Sequence, residues 1–166
     1  MMRTIKPIEL TESSIQAALF KDLVSKGHSH IAPNCMALGY EADLLSLTTS
    51  DYVHEYEIKI SRSDFKADQN KKNKHYIYQN AEKGFGPARI PSRLYYVIPA
   101  GMVSIEEVPT HAGLIEIKLM KTSRPYLAAI ITKPAPRLHS EKAPVGVKHK
   151  ITTSLMWKVF NGVVKE

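Results

Sequence analysis

Two alternating segments joined by a short turn place the strongest constraint on how this chain folds. Residues 40–49 and 53–60 both alternate between polar and apolar side chains, and residues 50–51 supply a turn between them. This pattern predicts a β-hairpin. Because successive side chains of a strand point to opposite faces, the second strand turns one set of residues toward an apolar layer. That set comprises Tyr56, Ile58 and Ile60.

The opposite face of the predicted hairpin carries carboxylates and one lysine. Glu41 and Asp43 point the same way on the first strand. The corresponding set on the second strand is Glu55, Glu57, Lys59 and Ser61. A hairpin brings Asp43 and Glu57 close together, and two carboxylates that share a partly buried site repel each other and raise one pKa strongly. The arrangement is therefore costly without a counterion.

A divalent cation would resolve this conflict between the two carboxylates. Mg²⁺ prefers oxygen ligands and typically uses one or two carboxylates together with a substrate phosphate. It can polarise the scissile phosphate and lower the pKa of a water molecule. Lys59 shares the face of Glu57 and could orient that water or stabilise the charge that develops on the phosphorane. Asp43 followed by Glu57-Ile58-Lys59 therefore predicts a site for phosphodiester hydrolysis.

The remaining segments predict helices and strands around this hairpin. A first helix spans residues 11–26, with Thr11 as its N-cap and Gly27 after its end. Further strands are predicted at residues 30–38, 93–99, 114–119 and 126–132. Further helices are predicted at residues 61–82 and 152–164, with a short helix or turn from Ser104. Residues 133–150 are predicted to form a proline-rich, basic loop. This order predicts an α/β or α+β fold in which helices pack on one central sheet, within a single domain spanning residues 1–166.

The first helix contributes two polar side chains on the side predicted to face the sheet. Glu12 and Gln16 extend the apolar stripe of Ile15, Leu19 and Leu23 toward the N-terminus of the helix. Glu12 could supply a further carboxylate to the metal, directly or through water. Alternatively, a glutamate at a helix start simply favours the positive end of the helix dipole. Both interpretations stay open at this point.

A run of basic residues follows the lysine. The chain carries a formal charge of +7 with a pI near 9.4, which favours an anionic partner, most commonly nucleic acid. Ser61 is predicted to cap the helix on which the run lies. Basic groups beside a metal site would hold a phosphate backbone without reading bases, whereas a solvated helix face is the ordinary alternative. The candidate DNA-binding residues are Arg62, Lys66, Lys71, Lys72, Lys74 and His75.

At this point a resemblance to a known family becomes specific. The residues that carry it are Asp43, Glu57-Ile58-Lys59 and Ser61-Arg62-Ser63-Asp64-Phe65, followed by Asp68 and Lys74-His75. In this pattern the chain resembles the PD-(D/E)XK, restriction-endonuclease-like nuclease superfamily. Within it the segment is most similar to MmcB-like DNA repair proteins and related phage nucleases. The resemblance is good from about residue 41 to residue 75 and does not cover the C-terminal third.

The resemblance implies a mixed sheet flanked by helices, with Mg²⁺ or Mn²⁺ at the acidic pair. By this similarity Asp43 and Glu57 are metal ligands, the Ile58 carbonyl is a third, Lys59 is the catalytic lysine, and Glu12 matches a first-helix carboxylate. Two departures stand out. Ala42 occupies the position before Asp43 where the family has proline, and no Gln-x-x-x-Tyr follows the lysine, so that motif's role is not transferred.

These observations lead to a metal-dependent deoxyribonuclease in DNA repair, recombination or phage DNA metabolism as the main hypothesis. The alternative is a nuclease-like fold that binds DNA or assembles with partners without turnover, and RNA is not excluded as substrate. Without a long apolar segment or a secretory signal, no membrane role and a cytoplasmic location, bacterial or in a phage-infected cell, are expected. Tyr95 and Tyr96 are predicted packing groups, and the last helix is predicted to pack into the core or to form a homodimer contact.

Overall fold

The computed structural model describes residues 8–81 and 86–163. Within them, six strands form one mixed sheet in chain order, with β3, β4 and β5 parallel and the other pairings antiparallel. The strands are β1 (Ser29–Cys35), β2 (Ala42–Leu47), β3 (Val53–Ile58), β4 (Arg93–Pro99), β5 (Ala112–Met120) and β6 (Tyr126–Lys133), and the helices are α1 (Glu12–Ser25), α2 (Arg62–Gln69), α3 (Lys72–Gln79) and α4 (Val145–Val163). The predicted central mixed sheet with flanking helices, an α+β fold, is confirmed.

Helix α1 covers one face of the sheet. Its N-cap is Thr11, whose side chain accepts a hydrogen bond from the Ser14 amide, as the sequence predicts. Gly27 follows the helix with a φ of +81°, a backbone conformation that glycine adopts without steric cost. The core on this face joins apolar residues of α1 to those of β2 and β3: Ile15, Leu19, Leu23, Leu44, Tyr56 and Ile58.

The opposite face is covered by α2 and α3 over the parallel strands and by α4 over β1 and β2. Phe65 of α2 and Tyr78 of α3 pack against Leu94 and Tyr96. Residues Val147 and Ile151 of α4 pack against Leu45 and Leu47. The central sheet therefore lies between two layers of helices. Strand β3 faces α1 on one side and α3 on the other.

Two predicted helices have different bounds in the structure. The helix predicted at residues 61–82 is two helices, because the chain breaks at Asn70, whose amide donates to the Ala67 carbonyl, before α3 begins at Lys72. The end predicted near residue 82 lies outside the described residues. The last helix begins at Val145, seven residues earlier than predicted, since Pro144 starts it and accepts from the amides of Val147 and Lys148. The second part of the predicted loop at residues 133–150 is therefore helical.

Smaller differences concern the strand ends and the last helix. Strand β3 ends at Ile58, so Ile60 does not join the apolar layer and is 49% exposed. Core packing is confirmed for Ile151 and Leu155, whereas Trp157, Val159 and Phe160 lie on the surface. No helix within residues 8–81 and 86–163 has both the length and the apolar content to cross a membrane.

Candidate active site

The two strands of the hairpin separate at their open end, and the Asp43 side chain fills the gap between them. The last paired residues of β2 and β3 are Leu44 and Tyr56. Beyond them, Asp43 Oδ2 accepts a hydrogen bond from the Ile58 amide at 2.7 Å. Because the N–H and C=O of one strand residue point toward the same neighbouring strand, the Ile58 carbonyl also faces this gap. The carboxylate of Asp43 thus takes the place of a backbone acceptor.

Lys59 joins the carboxylates that the sequence predicts to meet. Its Nζ atom lies 3.0 Å from Glu57 Oε2, 3.3 Å from Asp43 Oδ2 and 3.7 Å from Asp68 Oδ1. Only 7% of the Lys59 side chain is exposed. Burial lowers the pKa of Lys59, but the surrounding charges of Glu57, Asp43 and Asp68 outweigh it and raise the pKa above its usual value. The lysine is therefore a cation at neutral pH.

A second buried lysine, Lys74 of α3, lies against the same carboxylate. Its Nζ atom is 2.5 Å from Glu57 Oε1 and 2.5 Å from Glu55 Oε1. The hydroxyl of Tyr78 donates to Glu55 Oε2 at 2.6 Å. Each Glu57 oxygen therefore contacts one lysine, Oε1 with Lys74 and Oε2 with Lys59.

The three carboxyl groups at the hairpin end have different pKa shifts. Burial raises the pKa of Glu55 to about 7, against the influence of Lys74. Burial acts in the same direction on Glu57, but the charges of Lys74 and Lys59 outweigh it and hold the pKa of Glu57 below its usual value. The pKa of Asp43 is raised by burial and by the Glu57 charge. Neighbouring carboxyl groups with pKa values shifted in opposite directions are frequent at functional sites.

A network of polar side chains continues from Lys59 into the interior. Tyr96 donates its hydroxyl to Asp68 Oδ2 at 2.7 Å, and His75 Nε2 lies 3.0 Å from the Asp68 carbonyl. His75 Nδ1 is 3.0 Å from Nε2 of His111. Although burial raises the pKa of Asp68, hydrogen bonds from His75 and Lys71 and the Lys59 charge hold it well below its usual value. Asp68 is therefore ionised and fixed beside Lys59.

The oxygen donors at the hairpin end fit the chemistry of a hard divalent cation. Asp43, Glu57 and the Ile58 carbonyl are all oxygen donors, and a carboxylate has about four lone-pair sites, so one lysine contact per oxygen leaves acceptor capacity. Within the part of the chain that the structure describes, no three His, Cys, Asp or Glu side chains form a metal-binding group. Two carboxylates with a carbonyl, water and substrate phosphate suffice for Mg²⁺.

The structure places the predicted first-helix residues at different distances from the site. Gln16 Nε2 lies 3.4 Å from the Asp43 carbonyl oxygen, so this side chain reaches the site. Glu12 is exposed and accepts from Gln16 Nε2 at 3.4 Å, so one side chain separates it from Asp43. The possibility that Glu12 is a direct ligand is not supported by this position. Glu41 is exposed at the surface, and Ser61 caps α2 by accepting from the Asp64 amide at 3.1 Å.

The predicted basic surface is divided by the packing of the two short helices. Lys66, Lys71 and Lys72 are exposed, as predicted. Arg62 is exposed as well, with its guanidinium 2.6 Å from Glu107. The prediction is wrong for Lys74 and His75, which are 5% and 7% exposed because α3 turns them toward Glu57 and Asp68. These two side chains belong to the buried network and not to the surface.

Several members of the network were not predicted as site residues. Tyr96 was expected to be a packing group, but its hydroxyl binds Asp68 while its ring packs against Phe65. Tyr78 and Lys74 are four residues apart on α3, a spacing that places both on one helix face. That spacing could have indicated from the sequence that Tyr78 lies on the same side as Lys74. The sequence does not indicate the parallel register that places Tyr96 opposite Glu57.

Comparisons with known proteins concern the fold alone. No protein-family model matches the chain, and no curated protein matches it. A similar solved structure is that of SPO1766, a protein of unknown function from Silicibacter pomeroyi. The two chains share 18% sequence identity with a TM-score of 0.63, over 93% of this chain and 90% of the other. At this identity, the similarity supports the α+β architecture with its central mixed sheet and carries no information about activity.

Proposed function

We propose that this protein is a divalent-metal-dependent nuclease that hydrolyses DNA phosphodiester bonds, as the resemblance to PD-(D/E)XK nucleases implies. The observation that carries the proposal is the contact of Lys59 Nζ with both Asp43 and Glu57, at 3.3 Å and 3.0 Å, where β2 and β3 separate. A buried set of mutually repelling carboxylates is a costly way to stabilise a fold, and it provides oxygen ligands for a cation.

Each residue has a distinct task in the proposed reaction. Asp43, Glu57 and the Ile58 carbonyl would hold Mg²⁺ or Mn²⁺, which when bound polarises the phosphodiester and lowers the pKa of a water molecule. The Lys59 ammonium group donates hydrogen bonds to the attacking water or to a non-bridging phosphate oxygen, where negative charge develops. The water oxygen forms a bond to phosphorus and gives up one proton to solvent, while the bond from phosphorus to the leaving oxygen breaks and that oxygen takes up a proton from solvent.

The surroundings of Lys59 serve this task. Asp68 lies 3.7 Å from Lys59 Nζ and is itself fixed by Tyr96, so the ammonium group has carboxylates on several sides. Because the charges around it raise its pKa, Lys59 stays protonated and acts as a hydrogen-bond donor and not as a base. Such a fixed cation needs little reorganisation when charge develops on the phosphate.

The test is a cleavage assay with Mg²⁺ or Mn²⁺ on single-stranded, duplex, flapped and branched DNA and on RNA. Lys59→Met should reduce the cleavage rate by about 10²–10³, the range seen when one donor to a developing oxyanion is removed. Asp43→Asn and Glu57→Gln should lose activity with the metal at any concentration at which the wild type is active. These replacements are preferred to alanine because they keep the size of the side chain and one accepting oxygen. The folded fraction of each variant is measured by circular dichroism before the assay, since removing one charge of a buried ion pair costs about 3–5 kcal/mol of stability.

The control for the cleavage assay is Lys21→Ala, which removes an exposed lysine from α1 on the other face of the sheet. It should cleave at the wild-type rate. Absence of cleavage of every substrate by the wild type would overturn the enzyme proposal. Equal rates for the wild type and Lys59→Met would mean that the cleavage does not come from this site.

A second candidate function follows from the two lysines on Glu57. Each Glu57 oxygen is already in contact with an ammonium group, which is also how a site without a metal would neutralise its charge. The chain would then bind DNA or assemble with partners without turnover. Calorimetric titration with Mn²⁺ separates the two candidates: the nuclease binds the ion and loses this binding in Glu57→Gln, and the non-catalytic module does not bind it.

A further inference from the structure

A cleft of about 600 Å³ opens beside the buried carboxylates. One wall is formed by Tyr40 and Glu41, which precede β2, and the other by the start of α3 at Lys71, Lys72 and Asn73. Its volume lies within the range of about 300–1,000 Å³ that is usual for sites that enclose a ligand. The cleft is therefore large enough to take in part of a polymer, such as a few units of a chain.

The floor of this cleft connects it to the candidate active site. Lys74 lines the cleft and also contacts Glu57 Oε1 at 2.5 Å. On the other wall, Glu41 is two residues away from Asp43 along the chain. A molecule that enters the cleft from the surface thus approaches the two carboxylates proposed to hold the metal.

The depth of the reacting groups limits what can reach them. The side chains of Glu57 and Lys59 are 2% and 7% exposed, and that of Asp43 is 25% exposed. Duplex DNA carries its phosphates on the outside of a stiff rod with a persistence length of about 150 base pairs, so it cannot bend into a short cleft. A single strand is narrower and flexible, and it can place one phosphate below the surface.

The two walls of the cleft differ in chemistry. The wall from α3 presents two exposed lysines, which attract a phosphate backbone. The Lys72 ammonium group forms no ion pair with a carboxylate among the described residues, whereas Lys71 Nζ also contacts Asp68 Oδ1 at 2.8 Å and would be shared between Asp68 and a phosphate. The opposite wall presents the aromatic ring of Tyr40, on which a base can stack, and the Glu41 carboxylate, which repels phosphate. This asymmetry orients a strand with its backbone toward α3 and its bases toward Tyr40.

We propose that the substrate is a single-stranded segment of DNA, present as a free strand, an end or a flap, which lies in this cleft with phosphates on Lys71 and Lys72 and a base on Tyr40. The inference rests on the proposed nuclease function, because it names the substrate class for the same site. It adds a requirement that the chemistry alone does not impose, namely that the strand is unpaired where it is cut.

Binding can be measured separately from cleavage with the Lys59→Met variant. The probes are a fluorescent single strand, the same sequence as a duplex whose two ends are closed by ethylene-glycol linkers without unpaired nucleotides, and that duplex with a single-stranded flap. We expect the single strand and the flap to bind at least about tenfold more tightly than the closed duplex at the same salt concentration, because only they fit the cleft. Equal affinities for the closed duplex and the single strand would overturn the inference.

Substitutions in the cleft identify where the strand lies. Lys71→Ala and Lys72→Ala should each weaken single-strand binding and reduce the slope of log affinity against log salt by about 0.7, the value for one phosphate contact on a single strand. Tyr40→Ala should weaken binding while Tyr40→Phe retains it, since stacking needs the ring and not the hydroxyl. The control is Lys21→Ala, on the other face of the sheet. Combined with Lys59→Met, it should bind the single strand as tightly as Lys59→Met alone.

Cleavage by the wild type then separates failure of the inference from failure of the proposed function. Cutting of the closed duplex as fast as the single strand would contradict the inference and leave the nuclease function standing. Absence of cutting on every probe would contradict the nuclease function, and the binding preference of the inactive variant would still decide whether the cleft selects unpaired strands. Unchanged binding in Lys71→Ala, Lys72→Ala and Tyr40→Ala together would show that the strand lies elsewhere.

Discussion

The two faces of strand β3 differ in their chemistry. Toward α1, the strand presents Tyr56 and Ile58, which are buried among apolar side chains. Toward α2 and α3, it presents Glu55 and Glu57, which are equally buried but contact two lysines and the hydroxyl of Tyr78. One strand with a period of two residues therefore builds an apolar core on one side and an ionic cluster on the other.

The apolar side of β3 stabilises the fold more than the ionic side does. Burying one large apolar side chain contributes about 1.5–3 kcal/mol. Taking an ion out of water costs several kcal/mol, and replacing a buried ion pair with apolar residues is often neutral or stabilising by about 1–4 kcal/mol. The ionic face therefore contributes less to the stability of the fold than the apolar face, which is consistent with the proposed chemical role of its carboxylates.

The largest expected effect on stability lies on the apolar face. Leu19 of α1 is fully buried against the sheet, and Leu19→Ala should lower the free energy of unfolding by about 2–5 kcal/mol. Urea denaturation followed by circular dichroism measures this loss. Cleavage per folded molecule, assayed well below the unfolding midpoint, should stay at the wild-type level. A loss of activity without loss of stability would mean that the two faces are coupled.

An intermediate effect is expected from two adjacent tyrosines of β4 that point to opposite faces. Tyr96→Phe removes the hydroxyl that donates to Asp68 Oδ2 and should cost about 1.5–3 kcal/mol, as for hydrogen bonds to charged groups. Tyr95 stacks on Tyr56 at a centroid distance of 5.8 Å, and its hydroxyl has no hydrogen bond among the described residues. Tyr95→Phe should therefore change stability by at most about 0.5 kcal/mol. Urea denaturation measures both losses, and equal losses of unfolding free energy would contradict the assigned difference between the polar and the apolar face.

Two neighbouring residues of β3 should also give pH slopes of stability that have opposite signs. Burial lowers the pKa of His54, on the α1 face, to about 3, with the charges of His28, Arg93 and Arg137 acting in the same direction. Its folded value lies below the usual value of 6.5, so stability is lost as pH falls below that value. Glu55, on the ionic face, has a folded pKa of about 7 against a usual value of 4.5, so stability is lost as pH rises from 4.5 through 7.

Unfolding measured at about pH 5 and about pH 7 separates these two contributions. Relative to the wild type, His54→Gln should gain stability at the lower pH, because the neutral side chain no longer has to release a proton on folding. Glu55→Gln should gain stability at the higher pH, because no carboxyl group is left to be charged in the interior. If both variants gained stability at the same pH, the different pKa shifts assigned to His54 and Glu55 would be wrong.

The part of the site that lies within the hairpin could be predicted from the sequence. Alternation alone placed Glu57 and Lys59 on one face, and the short turn brought Asp43 beside them, because these relations depend on local geometry. The cap at Thr11 followed in the same way from residue types at a helix start. In each of these cases the partners are close in sequence.

The rest depended on contacts between distant segments. Lys74 and His75 were predicted on a basic surface, but the break at Asn70 gives α3 its own orientation, and packing of Tyr78 on β4 turns both side chains inward. The position of Tyr96 opposite Glu57 depends on parallel pairing between β3 and β4, which no local pattern specifies. The run of charged residues therefore predicted surface exposure correctly for four of its six members, and wrongly for Lys74 and His75.

The hydrogen bond from the Ile58 amide to Asp43 Oδ2, at 2.7 Å, makes one backbone proton a spectroscopic probe of the site. Most strand amides donate to carbonyl groups, whose charge does not change, whereas this amide donates to a group that can be protonated or bound by a cation. Its ¹H and ¹⁵N resonances should shift when Mg²⁺ binds to Asp43, and Mn²⁺ should broaden this signal more than those of other amides. A single NMR signal would thus report occupancy of the site before any substrate is known.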